Sequence, residues 1–577
     1  MNWRGWLSNV SNESRTNASP DSGRSPEIVL KLVSLGGLGE IGMNMMVLES
    51  GGGSLMVDAG LMFPDEHMLG VDSVIPDTRY VRERRDELLG IVLTHAHEDH
   101  IGALPYVLRD FDVPVYGTEF TLEVVREKLR EHGLPGSVDL RRIEGGGRIT
   151  LGPFEVDPIP VPHSIPDGVG LAINSPAGCI IHSGDFKMDD SAFSSGGSDW
   201  DRFGYYGDRG VLALLSDSTN VERSGHTLSE SRVARTFEEI FSRCEGRIII
   251  AVFASNIRRI QQAAELSIAL GRKVAFSGKS MLANVRIAKE LGYMNIAPEN
   301  EITVREVSRF PDREVALITT GSQAEPMAAL TLMSLKRHGQ IRIRPTDTII
   351  LSSRFIPGHE RAITEIINLI YRQGAEVIYE DVSEIHASGH AYRDELLKMI
   401  ELTRPRYFVP IHGEYRHLVK HARLAEKAGI PKERVLVMQN GDCLTIVDGE
   451  ARISEQIEAG RVFVDGKGVG DVGYPVFRER RNLSRDGIIT AVVVLDKKTG
   501  ELLSDPEVMS RGFILEEHEE DFMENAKRIV IETLEDYRQA DVLDRTEFKQ
   551  DVSRRIRRFV NRVLHRRPVV LCVVMDM

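Results

Sequence analysis

The chain has 577 residues, of which 42% are hydrophobic and 27% are charged, a balance typical of a soluble globular protein with about three domains. No run of about 18 apolar residues is present, which excludes a membrane-spanning helix. The formal net charge of −14 argues only weakly against a nucleic-acid partner, because the charge of a binding face is local.

The ends of the chain and the cysteines indicate a protein of the cytoplasm. The N-terminus lacks the basic start and apolar segment of a secretory signal. Residues 1–27 are rich in Ser, Asn, Pro and Gly and are predicted to be a disordered tail, because they bury too little surface to fold. The cysteines are far apart and form no Cys-x-x-Cys pair: Cys179, Cys244, Cys443 and Cys572. We expect them to be small buried residues in a reducing compartment.

The apolar residues form two different patterns along the chain. Short apolar strands separated by Gly-rich turns dominate residues 28–216, with a helix predicted over 120–132, and this pattern fits a layered αββα sandwich. Residues 217–385 alternate strands with helices. Near-continuous apolar strands such as 247–252 predict a buried parallel sheet in this second region.

The last third of the chain contains two further regions. Residues 386–450 return to short strands and a helix, and a linker is predicted over 451–464. A small α+β unit is expected over 465–577. Its predicted strand and helices lie at 487–494, 521–540 and 546–564.

A group of side chains that can bind metal follows a buried strand. Residues 95–100 read His-Ala-His-Glu-Asp-His and come directly after an apolar run that ends at Thr94. Strand or helix spacing would spread these side chains, whereas a tight turn brings four of them towards one point: His95, His97, Asp99 and His100. Imidazoles with carboxylates suit zinc, manganese or iron, and several carboxylates allow two ions side by side. A solvated loop that is merely rich in His is the alternative, which the apolar segments on both sides disfavour.

The turn at 95–100 resembles the second metal motif of the metallo-β-lactamase superfamily, and the other motifs follow in order. Asp58, in the segment 57–60, matches the first motif, whose Asp braces the metal loop without binding an ion. His163 stands at the third motif and Asp185 at the fourth. Alone, His163 would more often be a loop or core histidine and Asp185 a turn residue, so the assignment depends on their joint order.

A domain inserted after the fourth motif is typical of the β-CASP branch of this superfamily, whose members cut nucleic acids. Three residues match the branch motifs A, B and C in order: Asp217, His390 and His412. Longer strings resemble the ribonuclease J family within that branch: residues 36–44, 253–256, 320–327, 386–390 and 464–473. The chain is identified as a member of this family from residue 28 to 577.

The resemblance implies a fold and a set of metal ligands. The fold is a metallo-β-lactamase sandwich over 28–216 and 386–450, a β-CASP domain over 217–385 and a C-terminal domain over 465–577. Two divalent ions are implied, with zinc expected and manganese or magnesium compatible. The implied ligands are His95, His97 and His163 for one ion, Asp99, His100 and His412 for the other, and Asp185 as the bridge.

The resemblance also implies hydrolysis of single-stranded RNA in RNA maturation and decay, from a 5′-monophosphate end and at internal sites. Asp99 belongs to the implied catalytic groups. His390 is the implied proton donor and Asp217 its positioning partner, although Asp217 also suits a helix N-cap. The residues expected to contact RNA are Phe253, Ser322, Gln323, His386, Ala387, Ser388, Gly389 and His390. A Phe at a strand end, such as Phe253, is more often part of a core than a platform for a base.

The C-terminal domain resembles the dimerisation domain of the family, which implies a homodimer or homotetramer, with other RNA-decay proteins as further partners. An independent unit packed on its own chain is the alternative. Three other functions compete: a metallohydrolase of small molecules, an RNA 3′-processing endonuclease and a non-catalytic scaffold. The first would lack Asp217, His390 and His412. The second would more often carry N-terminal KH modules, and the third would have lost metal ligands.

The sequence departs from the family pattern at a few positions. Ala324 stands where Gly is usual, and Arg354 and His359 replace smaller or amide side chains. Arg354 would alter access to the RNA channel. The segment 566–570 resembles the final strand of the family but is short.

Overall fold

The structure is a computed structural model that describes residues 29–577, apart from 66, 135, 137, 145, 190–198, 324, 326, 354–359, 380–384, 467, 471, 472, 513–518 and 540–543. The predicted tail at 1–27 and the departures at Ala324, Arg354 and His359 lie outside the described residues. Among the described helices, none is both long and apolar enough to cross a membrane.

The first part of the chain consists of short strands and short helices. Its strands are β1 (Val29–Gly36), β2 (Leu38–Gly39), β3 (Met45–Ser50), β4 (Gly53–Val57), β5 (Ser73–Pro76), β6 (Leu88–Val92), β7 (Val115–Gly117), β8 (Leu140–Arg142), β9 (Ile149–Leu151), β10 (Phe154–Pro160), β11 (Val169–Ser175), β12 (Gly178–His182) and β13 (Val211–Asp217). Its helices are α1 (Arg79–Arg82), α2 (Glu98–Ile101), α3 (Leu104–Val107), α4 (Glu119–Glu131) and α5 (Trp200–Arg209). The helix predicted over 120–132 is α4.

The second region alternates helices and strands, as its sequence predicts. Its elements are α6 (Glu230–Arg243), β14 (Ile248–Ala251), α7 (Ile257–Ala269), β15 (Lys273–Ser277), α8 (Lys279–Glu290), β16 (Val315–Thr319), α9 (Ala329–Ser334), β17 (Thr348–Leu351), α10 (Glu360–Tyr371) and β18 (Glu376–Ile378). The strands form one parallel sheet in the order β15-β16-β14-β17-β18. Fully buried apolar strands such as β14 and β16 explain the near-continuous apolar runs.

The remaining elements return to the sandwich and then form the C-terminal unit. The return comprises α11 (Arg393–Thr403), β19 (Tyr407–Ile411), β20 (Gly413–Glu414), α12 (Tyr415–Lys427), β21 (Asp442–Val447), β22 (Glu450–Gln456) and β23 (Arg461–Asp465). The unit after it comprises β24 (Gly468–Val469), α13 (Tyr474–Asp486), β25 (Ile488–Leu495), β26 (Glu507–Arg511), α14 (Glu519–Gln539), α15 (Arg545–Leu564) and β27 (Val569–Asp576).

Two sheets pack face to face to form the expected sandwich. One has the order β22-β21-β1-β3-β4-β6-β7-β8 and the other the order β19-β13-β12-β11-β10-β9. Apolar side chains from both sheets, among them Leu32, Leu48 and Leu171, form one core between them. The strand β19 pairs in parallel with β13, with Asp217 opposite Ile411, so the end of the first part and the return lie side by side. The predicted αββα sandwich with an inserted parallel α/β domain is confirmed.

The segment 451–464 differs from the predicted linker, because it contains most of β22 and part of β23. The strand β22 pairs with β21 at the edge of the first sheet, and β23 pairs with β5. This segment therefore packs on the sandwich. The domain boundaries themselves stay predictions.

The C-terminal unit is a three-stranded sheet with two long helices on one face. The order is β26-β25-β27, and α14 and α15 supply apolar side chains such as Val530 and Ile556 to its core. The sequence suggested a short final strand, but β27 spans 8 residues and pairs in parallel with the whole of β25.

Candidate metal centre

The His-rich segment is a tight turn between β6 and α2, and Asp58 fixes its shape. Asp58 Oδ1 accepts a hydrogen bond from Thr94 N at 2.8 Å, and Oδ2 accepts from Thr94 Oγ1 at 2.8 Å. Asp58 has the left-handed φ of 60° and is almost completely buried. At Gly60, a Cβ atom would lie 1.6 Å from the Asp99 carbonyl oxygen, so only glycine lets these two loops approach. Asp58 thus contacts Thr94 and the histidine-rich turn, and its bracing role stays a prediction.

One cluster joins three imidazoles from two loops. His95 Nε2 lies 2.9 Å from His97 Nδ1, and His163 Nε2 lies 3.1 Å from the same atom. The Asp185 carboxylate completes the group, with Oδ2 at 3.7 Å from His95 Nε2. Burial lowers the pKa of His97 to about 4 and lowers the pKa of both His95 and His163. Neutral imidazoles whose nitrogen atoms converge on one point are suited to bind a metal ion.

A second cluster shares Asp185 with the first. His412 Nε2 lies 3.1 Å from Asp99 Oδ2, and His100 Nε2 lies 3.3 Å from Asp185 Oδ2. Burial opposes charge on His412, but Asp185 and the other nearby carboxylates raise its pKa to about 10. Burial likewise opposes charge on His100, and Asp185, Asp99 and Asp58 raise its pKa. These acids create a strongly negative environment that favours a cation.

Asp185 provides the test of whether the residues fit metal ions. Its Oδ2 atom is buried and has no hydrogen-bond partner among the described residues. A buried carboxylate oxygen without a partner is unfavourable unless a cation compensates it. The donor set around it, imidazole and carboxylate, is the one that zinc and manganese accept. The site therefore suits metal binding.

The imidazoles of the two clusters have further contacts that orient them. His163 Nδ1 donates to the Gly389 carbonyl at 2.7 Å, because a carbonyl can only accept, and this leaves Nε2 for an ion. His100 Nδ1 lies 2.7 Å from Asp58 Oδ2. His412 Nδ1 lies 2.8 Å from Thr219 Oγ1 and also has the strained φ of 52°. Such outer contacts set which nitrogen atom faces the metal.

A third group extends the cluster towards the cleft. His390 Nδ1 lies 2.9 Å from Asp217 Oδ2, and Asp217 Oδ1 lies 3.2 Å from His412 Nδ1. Asp217 Oδ1 also accepts from Thr219 N at 3.0 Å within a turn. The alternative of a helix N-cap is wrong, because residues 218–229 contain no helix and α6 begins at Glu230 with Ser229 as its cap. The His390 side chain is 22% exposed, whereas that of Asp217 is 1% exposed, so His390 is the member that a substrate can reach.

Four family models match successive parts of the chain. Their descriptions are "Metallo-beta-lactamase superfamily" for residues 38–194, "Ribonuclease J, beta-CASP domain" for 245–370, "Zn-dependent metallo-hydrolase RNA specificity domain" for 374–437 and "Ribonuclease J C-terminal domain" for 475–577. Ribonuclease J2 of Bacillus subtilis (strain 168) is 39% identical over 95% of this chain and 98% of its own length. The chain belongs to the ribonuclease J family.

Other relatives agree with this assignment. Ribonuclease J of Helicobacter pylori (strain J99) is 37% identical over 94% of this chain and 79% of its own length. A solved structure of a protein of unknown function from Enterococcus faecalis V583 covers 73% of this chain and all of its own, with a TM-score of 0.52 and 14% identity, and supports the fold alone. As a member of the ribonuclease J family, the protein is a metal-dependent ribonuclease with a metallo-β-lactamase domain, an inserted β-CASP domain and a C-terminal domain.

The residues expected to contact RNA in this ribonuclease include two small groups and three further positions. Ser388 and Gly389 lie at the metal centre: Ser388 Oγ accepts from Asn220 Nδ2 at 2.7 Å and from His390 N at 3.1 Å. In the second group, Ser322 and Gln323 are buried, and Gln323 Nε2 donates to Ser353 Oγ at 3.0 Å. The positions of the other three differ in exposure: Phe253 and His386 are half-buried and Ala387 is buried.

Sequence reasoning missed several residues around the metal ligands. Asn44 Nδ2 donates to the Asp99 carbonyl at 3.0 Å and lies 3.2 Å from His100 Nε2. Ser255, from the β-CASP domain, places its Oγ 3.1 Å from His97 Nε2. Both lie in strings that resemble the ribonuclease J family, and this resemblance was the available signal.

A buried ionic network joins the β-CASP domain to the loop after Asp185. Lys187 Nζ lies 2.7 Å from Glu230 Oε1, and Arg259 pairs with the other oxygen of Glu230. Burial would raise the pKa of Glu230, but Arg259 and Lys187 lower it to about 2. Arg259 also donates to the Ile385 carbonyl at 2.8 Å. The network thus connects the strand end that bears Asp185 with the helices α6 and α7.

Proposed function

We propose that this ribonuclease hydrolyses phosphodiester bonds with two divalent ions, acts 5′ to 3′ on 5′-monophosphorylated RNA and also cuts internally. The observation that carries the proposal is Asp185, which belongs to both histidine clusters and to the Asp217–His390 group. The ligands we propose are His95, His97 and His163 for one ion and Asp99, His100 and His412 for the other, with Asp185 between them. Zinc is the ion we expect, with manganese or magnesium as alternatives.

The protein groups position the substrate and move one proton. Bound divalent ions would neutralise the phosphate oxygens and acidify the attacking water. As the water oxygen bonds to phosphorus, the bond to the leaving oxygen breaks, and that oxygen needs a proton. His390 is placed to donate it from Nε2, because Nδ1 is engaged by Asp217. Burial opposes the charged form of His390, but Asp217 raises its pKa, which favours the protonated form that a proton donor needs.

The preference for a 5′ monophosphate is supported by the environment of Ser388. Its Oγ already accepts two hydrogen bonds, so its O–H is available to donate to an anion. His386 lies two residues away, and the turn at Gly321 has the left-handed φ of 107° found in backbone turns that bind phosphate. We propose that these groups and Phe253 hold the 5′ nucleotide, while Ser322 and Gln323 support the pocket from within the core.

One assay separates the proposed modes of cleavage. The protein with Mn²⁺ or Mg²⁺ is given RNA with a 5′ monophosphate, RNA with a 5′ triphosphate and circular RNA. We expect mononucleotides from the first, slower release from the second and internal cleavage of the third. An intact circle would contradict the endonuclease mode, and equal rates on the first two would contradict the end preference. Cleavage of none, with hydrolysis of a lactone or thioester, would contradict ribonuclease activity.

We also propose a homodimer or homotetramer built through the C-terminal sheet. The face of β27 away from α14 and α15 exposes three apolar side chains, Leu571, Val573 and Met575, each between 43% and 48%. Such a contiguous apolar strip is a common interface between subunits. The mass in solution tests this, and a monomer at micromolar concentration would contradict it. Other RNA-decay proteins are the second candidates for this face.

A cytoplasmic location is part of the same proposal. The four cysteines are all free thiols, which suits a reducing compartment. Fractionation of the cell tests this location, and recovery of the protein outside the cytoplasm would contradict it.

A further inference from the structure

Two cavities on one side of the metal centre share a single arginine. The first has a volume of about 420 Å³, and its walls include Asn440, Tyr415 and Arg461. The second has a volume of about 320 Å³, and its walls include Arg461, Tyr474, Arg478 and Arg481. We call the last four residues the arginine–tyrosine surface. It lies where the metallo-β-lactamase domain meets α13 of the C-terminal domain.

One wall residue of the first cavity, Tyr415, is close in sequence to His412. Tyr415 follows His412 by three residues, so the chain between them spans at most about 11 Å. Gly39, another wall residue, pairs with Glu414 through the short sheet of β2 and β20. Tyr415 is 52% exposed. The two cavities share Arg461, and their walls include residues from Tyr415, three positions after His412, to Arg481 of α13.

Tyr474 is exposed but held in place. Its ring centroid lies 6.0 Å from that of Phe463 and 6.2 Å from that of Phe477, both nearly perpendicular to it. Phe463 and Phe477 are buried, whereas Tyr474 remains 73% exposed. An aromatic ring that is fixed and yet open to solvent is the usual platform on which single-stranded nucleic acids stack a base.

The arginines of this surface are poorly neutralised. Arg478 and Arg481 are exposed, lie one turn apart on α13, and form no ion pair or hydrogen bond with any described part of the chain. Their neighbour Arg480 differs, since it pairs with Asp465 and donates to the Leu69 carbonyl at 2.9 Å. Like charges on adjacent turns destabilise a helix, so a ligand of opposite charge would relieve this arrangement.

Two acids lie nearby but leave the surface positive. Glu40 Oε2 lies 2.7 Å from Arg461 Nη2 and orients that guanidinium. Asp65 Oδ1 accepts from His67 N at 2.8 Å at the rim of the second cavity. Three arginines against these two carboxylates stand out in a chain whose net charge is −14.

We propose that the arginine–tyrosine surface binds single-stranded RNA outside the metal centre, with phosphates on the arginines and a base on Tyr474. The proposal rests on the ribonuclease function given above and adds a second contact for the strand. A free mononucleotide would offer the same chemistry but would fill only one cavity. The two cavities, each with an exposed tyrosine and both lined by Arg461, offer the alternating aromatic and cationic groups that suit the bases and phosphates of a strand.

The test compares RNA lengths. Arg478→Ala/Arg481→Ala and Tyr474→Ala are assayed beside wild type on a 5′-monophosphorylated oligomer of a few nucleotides and on a long unstructured RNA. We expect KM for the long RNA to rise about tenfold in each variant, with kcat unchanged and the short substrate unaffected. The slope of log KM against log salt for the long RNA should fall by roughly 1.4 in the double variant, because two phosphate contacts are lost.

Two further variants serve as controls. Arg235→Ala/Arg243→Ala removes two exposed arginines from α6 and should leave KM unchanged. Arg478→Lys/Arg481→Lys keeps the charge and should retain most of the affinity. Matching thermal melting curves establish that the variants fold, as expected for exposed side chains.

Several results would overturn the proposal. One is an unchanged KM for long RNA in both test variants, and another is an equal rise in KM for the short and the long substrate. Saturable binding of a free nucleoside 5′-monophosphate that the variants abolish, with KM for long RNA unchanged, would assign a mononucleotide site instead. If wild type cleaves neither RNA, the ribonuclease function itself fails, and this outcome is distinct from a failure of the surface alone.

Discussion

The metal centre and the arginine–tyrosine surface are built in opposite ways, although both would contact a polyanion. At the metal centre, His95, His100 and Asp185 are at most 4% exposed, and the imidazoles have outer partners that fix their orientation. At the surface, Arg478 and Arg481 are solvated and have no partner in the described structure.

The difference follows from what each region must do. Bond cleavage requires ligands held to within about 0.5 Å, which buried side chains with second contacts provide. Binding a strand of RNA requires only positive charge and an aromatic face. A solvated arginine supplies the charge without needing partners that fix it in place. We therefore expect substitutions in the two regions to change different kinetic constants.

The largest expected effects come from substitutions at the metal centre. Two histidine variants should distinguish loss of metal binding from loss of proton transfer. His97→Ala should abolish cleavage and lower the bound metal, because His97 Nδ1 faces both His95 and His163. His390→Ala should lower kcat by about 10²–10⁴ with the metal retained, since it removes only the proposed proton donor. Metal content by mass spectrometry and single-turnover rates measure both.

Two outcomes would contradict these roles. Near-normal cleavage by the His97 variant would refute its assignment as a ligand. Loss of metal from the His390 variant, with its fold intact, would place His390 among the ligands.

The next largest effect should be on stability, at the junction between the metallo-β-lactamase and β-CASP domains. Glu230→Gln leaves Arg259 buried without its counter-ion and leaves Lys187 with only Asp189, at 3.5 Å, which should cost about 3–5 kcal/mol in the free energy of unfolding. Glu238→Gln, exposed on the same helix, is the matched control and should change little. Urea unfolding measures both, and similar midpoints for the two variants would show that the network does not stabilise the junction.

A smaller effect should reveal that the β-CASP domain supports the metal site. Ser255→Ala removes the contact to His97 Nε2 and should weaken metal binding about tenfold, because the imidazole loses the partner that fixes its proton on that atom. Competition with a chelator measures the affinity, and Ser242→Ala on the surface of α6 is the control. Equal metal retention by both variants would argue against coupling between the domains at this point.

The sequence predicts local features better than distant contacts. The turn at 95–100 could be predicted because its ligands lie within six residues after an apolar strand. The contact between His97 and Ser255 joins residues 158 positions apart, and a serine carries no signal of its own. The placement of His412 beside Asp99 was predicted only through the family resemblance.

Errors in the predicted elements have physical causes. The strand β22 was taken for a linker because it is an edge strand with mostly exposed residues, so the apolar alternation that marks a strand is missing. The final strand was judged short from the segment 566–570 and its likeness to the family, whereas β27 spans Val569–Asp576 and has apolar side chains on both faces, which hides the period of two. A strand whose two faces are similar, either both exposed or both apolar, lacks the alternation of polar and apolar residues by which a sequence reveals a strand.

The smallest expected effect concerns the pH dependence of stability and Asp167, a bridge between the two larger domains. Asp167 accepts hydrogen bonds from Thr118 Oγ1 at 2.7 Å, Phe120 N at 2.8 Å and Tyr293 Oη at 3.2 Å, the last from the β-CASP domain. Burial raises the pKa of Asp167 to about 6. A raised pKa means that the folded protein binds this proton more tightly than the unfolded chain does. Its contribution to stability is therefore present at pH 4 and is lost as the pH rises through 6.

Asp167→Asn removes the group that binds this proton. The variant therefore tests whether the proton on Asp167 stabilises the fold at low pH, as its raised pKa predicts. Asn suits the left-handed φ of 50° at this position, so the backbone strain is not increased. The free energy of unfolding of wild type minus that of the variant should be about 1–2 kcal/mol larger at pH 4 than at pH 7. Asp86→Asn, which alters a carboxylate whose side chain is 98% exposed, is the control for the general effect of removing a negative charge. A difference that is constant with pH, or that grows towards pH 7, would show that burial does not hold the proton on Asp167 and that its three hydrogen bonds dominate instead.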